Sequence, residues 1–92
     1  MKIQQMKSPR TGNAVANQYM ITIGDFIYFQ SYETMIAKIN RTTNEVTLSE
    51  DWDYSRTTVK YLNRFLSTET KDIKSHIEDG TYKIVETIEL GE

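Results

Sequence analysis

Arg56, Lys60 and Arg64 stand at i, i+4 and i+8. On an α-helix that spacing lines three cations along one side, about 6 Å apart. Such a row could track phosphates or meet an acidic patch on a protein, with the neighbouring Tyr61 supplying stacking or packing area. Arg56, Lys60, Arg64 and Tyr61 therefore form the candidate binding surface, weighed against the plainer reading that any amphipathic helix needs a solvated side. Three charges are too few for tight nonspecific binding to DNA at physiological salt.

Other groups offer less chemistry. His76 is the only histidine; Asp72, four residues earlier, reads as its exposed helical pair rather than as the carboxylate of a general base. One imidazole is a poor start for a transition-metal site unless several carboxylates converge on it. Glu50, Asp51 and Asp53 could be imagined as paired acids, but carboxylates just before a helix are accounted for by its dipole, at about 0.3–1 kcal/mol each. The four glycines are isolated and cysteine is absent, so there is no phosphate-cradling loop, thiolate nucleophile or thiolate zinc site. The expectation is a protein that is not an enzyme and carries no cofactor and no metal.

The cations need a helix to hold them, and the stretch from Trp52 to Leu66, WDYSRTTVKYLNRFL, supplies one. Ser55 is placed to accept a backbone N–H of the first turn, so the helix should begin there. At 100° per residue Val59, Leu62, Phe65 and Leu66 share one side, opposite the cationic row. Trp52 and Tyr54 are large apolar groups positioned to pin the helix entry against a sheet.

That sheet is legible before and after the helix. Tyr19, Ile21 and Ile23 alternate with Met20 and Thr22, Gly24-Asp25 makes a two-residue turn, and Phe26–Gln30 follows as a strand apolar on both faces. Residues 35–39 suit a third strand, with Met35, Ala37 and Ile39 on one side and Ile36 and Lys38 on the other. Val46 and Leu48 mark a fourth strand. Ile73 and Ile77, hydroxyls at 68–70 and a closing Gly80 indicate a second helix over 70–79, and 81–88 is β-prone. Ser31–Thr34 and Thr57-Thr58 read as hydrogen-bonding corners.

Residues 1–18 carry Pro9, Gly12 and little apolar periodicity, which reads as a flexible or extended arm able to cover the second face of the sheet. The fold class is thus α+β: a small single domain over 19–88, with a mostly antiparallel sheet of four to five strands, two helices packed on one face, and a frayed 89–92. Ninety-two residues with six Tyr, three Phe and one Trp suit a folded chain, but one too small for a large internal active-site cavity. The net charge of −2 is uneven: residues 1–18 carry +3 and 69–92 carry −4. This balance is unlike the broad basic footprint of a general DNA-coating protein. The sequence shows neither an apolar leader core nor a stretch long enough to span a bilayer, so it reads as intracellular.

The segments SYETMIAKI (31–39) and WDYSRTTVKYLNRFL (52–66), followed by DGTYKIV (79–85), resemble a family of small uncharacterised proteins of bacteriophages and prophages of Gram-positive bacteria. The resemblance covers about residues 26–85 and carries no established activity. It implies a phage accessory protein working in the host cytoplasm. With the composition, it leads to the expectation of a non-enzymatic binder of a host protein, such as an anti-CRISPR type inhibitor of a defence nuclease complex. A nucleic-acid-binding accessory protein using the basic helix side is the alternative.

Overall fold

The computed structural model describes residues 1–91. Strands β1 (Lys2–Lys7), β2 (Ala14–Ile23), β3 (Phe26–Ser31), β4 (Thr34–Asn40) and β5 (Val46–Ser49) are antiparallel neighbours in chain order. Helices α1 (Arg56–Leu66) and α2 (Thr70–Glu78) then carry the chain back, so that β6 (Tyr82–Val85) joins β5 in parallel. A same-sheet parallel partner needs such a crossover, since a tight turn can only reverse direction.

The sheet has six strands, more than the four to five expected, and the difference arises in the segment read as an arm. Lys2–Lys7 pairs with β2 from Lys2↔Thr22 to Lys7↔Ala14. An edge strand needs little buried surface, and Met6 is the one buried residue of β1. The alternation that would have announced it is therefore missing from the sequence. Residues 1–18 do not cover the second face. That face, with Ile21 and Tyr28, receives Ile88 of the segment after β6, and the Gly91 N–H donates to the Tyr28 hydroxyl at 3.2 Å. Of the stretch 89–92 expected to fray, Gly91 makes this contact, residues 89–91 are exposed, and Glu92 lies outside the described residues.

Phe29, Ala37 and Leu48 are matched across β3, β4 and β5, so their side chains share one face. They join a buried cluster with Trp52, Tyr61, Leu62 and Ile73, which draws on the sheet and on both helices. β4 departs from simple alternation. Phe29 faces Ala37 while Gln30 faces Met35, leaving Ile36 as the extra residue of a bulge. Ile36 and Ala37 therefore both enter the first cluster, and Met35, expected beside Ala37, packs in the second. The Gly24-Asp25 turn is as expected, with Gly24 at φ 55°.

Candidate functional site

α1 begins where the hydroxyl of Ser55 accepts the Thr58 N–H at 3.1 Å. The Thr58 side chain is itself fully buried, 2.7 Å from the Ser31 hydroxyl and 2.9 Å from that of Ser55. This chain of hydroxyls ties the first turn of α1 to the end of β3. It also sets the helix rotation: the buried side runs through Thr58, Tyr61 and Leu62, and Val59, Phe65 and Leu66 lie at intermediate depth. Phe65 stacks on Phe29 at 5.6 Å between ring centroids.

Arg56, Lys60 and Arg64 are all exposed. Among the described residues no carboxylate lies within ion-pairing distance of any of them. Tyr61 does not share their surface. It is 4% exposed and belongs to the core cluster, because the hydroxyl contact at Thr58 turns its position inward. It serves the row from beneath, with the Lys60 ammonium 5.5 Å from its ring centroid. Asn63 likewise turns partly inward, donating from Nδ2 to the Thr70 hydroxyl at 2.9 Å.

Beside the row lies an open concavity of about 640 Å³, lined by Asp53, Tyr54, Ser55, Arg56, Val59, Lys60 and Asn63. Of the two aromatics expected to pin the helix entry, Trp52 is buried, and Tyr54 is 49% exposed with its hydroxyl donating to the Ser31 carbonyl at the end of β3 at 3.5 Å. Tyr54 is thus the exposed aromatic that lines this concavity with Arg56 and Lys60, whereas Tyr61 meets Lys60 from the core side. The place of Tyr54 outside the helical register, ahead of the cap, removes the periodicity that would have marked it. Beyond the last cation a second concavity, of about 280 Å³, is shared by Arg64 with Gln4, Gln5, Met6, Lys7 and Met20. Lys7 is the cation that sequence reading left in an arm.

The remaining candidates are dispersed. His76 pairs through Nδ1 with Asp79 at 3.8 Å rather than with Asp72, and its ring lies 4.8 Å from that of Tyr82. At that distance the contact is ionic only when the imidazole is protonated. Hydrogen bonds from Thr81, by side chain and by backbone N–H, hold the Asp79 carboxyl below its ordinary range, with His76 adding a smaller pull. Burial, and then the charge of Asp72, push the Tyr82 phenol up. Asp51 and Asp53 are exposed and lie ahead of the Ser55 cap of α1. Among the described residues no three His, Asp or Glu side chains gather where they could hold a metal ion. No helix is long and apolar enough to cross a membrane.

No curated protein and no solved structure matches the chain. A family profile does match, over residues 1–81, and the chain belongs to that family, described as a family of unknown function (DUF8033).

Proposed function

We propose that this is a non-enzymatic phage accessory protein that binds a host protein in the host cytoplasm, as an inhibitor of a defence system of the anti-CRISPR type. The observation that carries the binding role is the outer side of α1. Three exposed cations, unpaired with carboxylates among the described residues, stand in line beside a concavity that also presents a half-exposed tyrosine. Interfaces favour such combinations, in which arginine and tyrosine bring contact area and directional hydrogen bonds together. The phage setting rests on the resemblance carried by residues 31–39 and 52–66. The reading takes both helices to pack on the same face of the sheet, which is supported by their joining one cluster; the cationic side of α1 is then turned outward.

Nucleic-acid binding is the second reading, because the same row could follow a phosphate backbone with Tyr54 as a stacking platform. Capture from host lysate with wild type beside the Arg56→Ala/Lys60→Ala/Arg64→Ala variant tests the first reading: a protein partner retained by wild type and lost by the variant is expected. Titration with single- and double-stranded oligonucleotides at low and physiological salt separates the two. A steep salt-dependent affinity that the triple variant loses would favour nucleic acid.

A further inference from the structure

Arg64 lines the second concavity but not the first, and on α1 it stands one turn beyond Lys60 of the first, so the cationic row leads from one concavity to the other and joins parts of the chain far apart in sequence. The first carries Arg56 and Lys60; the second carries Lys7 on β1. Lys7 is exposed, as is Arg64, and among the described residues neither has a carboxylate within ion-pairing distance. The track thus holds four cations against the single acid Asp53, in a chain whose net charge is −2.

We propose that this track, running from Tyr54 along α1 and over Arg64 to Lys7, is the docking site for an extended acidic segment of a protein partner. The inference rests on the reading of α1 as a protein-binding face and adds the chemistry and the path of what binds there. Charge complementarity decides the sign of the occupant. Spacing decides its form: cations four residues apart on a helix advance by about 6 Å, and alternate residues of an extended chain advance by about 6.6–6.8 Å. Carboxylates at every second position of an extended segment therefore stay nearly in step with Arg56, Lys60 and Arg64, and its next residues reach Lys7. Tyr54 and Val59 line the first concavity and Met20 the second, which suits the side chains that alternate with the acids. Asp53 at one end and the net negative charge disfavour a long polyanion such as a nucleic acid.

The test is fluorescence anisotropy with a labelled twelve-residue peptide carrying Glu at alternate positions and Thr between them. Its Gln counterpart and a dodecathymidylate serve as the other probes. Wild type should bind the Glu peptide and not the Gln peptide. Lys7→Ala should weaken that binding by at least about threefold, and the Arg56/Lys60/Arg64 triple alanine variant by more than about tenfold. Unchanged circular dichroism and melting temperature for Lys7→Ala would show that its loss is not unfolding. A Lys7→Ala variant that binds as wild type while the triple variant does not would overturn the extended track and leave the α1 reading standing. A triple variant that binds as wild type would overturn the α1 reading itself. Tighter binding of dodecathymidylate than of the Glu peptide, or no binding of the peptide by wild type, would overturn the acidic occupant.

Discussion

Gln18 sits fully buried on β2, and neither its amide nitrogen nor its oxygen has a hydrogen-bond partner among the described residues. A buried amide without partners costs about 1–3 kcal/mol relative to a satisfied one. Gln18→Met, which keeps the length and removes the polar atoms, should therefore raise the unfolding free energy by about 1 kcal/mol, as read from urea denaturation. A loss of stability would show that the amide is satisfied in solution. The same scale explains what sequence could not reveal about the site. Arg56, Lys60 and Arg64 were legible, because a period of four needs no knowledge of the fold. The burial of Tyr61 and the exposure of Tyr54 were not, because the rotation of α1 depends on Thr58 meeting Ser31, a hydroxyl pair 27 residues apart in the chain. Counting apolar residues alone places Val59 on the buried side and ignores a threonine that can be buried once it is bonded.

At the scale of elements, the helix boundaries were readable from their chemistry and the strand edges were not. Ser55 caps α1 as its type and position demand. Its end is less obvious: Ser67 adopts a left-handed φ of 54°, its N–H bonds the Arg64 carbonyl, and the Thr68 N–H bonds that of Asn63. This is a Schellman closure with serine where glycine is favoured. Ser67→Gly relieves a left-handed conformation that costs an L-residue about 1–2 kcal/mol, less the entropy of a freer unfolded chain. A net gain of several tenths of a kcal/mol in thermal denaturation is expected. The hydroxyls at 68–70 suggested a cap for α2, yet the cap position is Glu69, without a side-chain cap bond, and the Thr70 hydroxyl instead receives Asn63 of α1. The end of α2 is secured by Asp79, whose carboxyl is held below the ordinary carboxylate range by hydrogen bonds from Thr81. A depressed carboxylate contributes stability above its unfolded-state value, and loses it as the pH falls through the folded-state value. Asp79→Ala should accordingly lower the melting temperature slightly at neutral pH, with the difference from wild type shrinking as the pH falls below the carboxylate range. β1 and the bulge at Ile36 escaped notice for a common reason: an edge strand and a bulge both break the alternation by which strands are recognised.

For the whole molecule, the separation of charge is the feature that sequence and structure describe together. Acids outnumber bases in residues 69–92, and residues 1–18 carry Lys2, Lys7 and Arg10 without an acid. The fold converts that asymmetry along the chain into one in space only in part: β1 brings Lys7 beside Arg64, so the first strand, taken from sequence as an appendage, extends the cationic side of α1. The segment after β6, part of the β-prone 81–88 stretch, lays Ile88 on the second face of the sheet with Ile21 and Tyr28. A polarised surface of this kind acts on association through electrostatic steering and complementarity, and both weaken as salt rises. The most direct test of the account is the affinity of the partner captured from the host, measured by titration against wild type and against the Arg56→Ala/Lys60→Ala/Arg64→Ala variant at low and physiological salt. The account predicts at least about a tenfold loss of affinity in the variant, a shallower salt dependence, and an unchanged melting temperature. Equal affinity of the two proteins at both salt concentrations would contradict it.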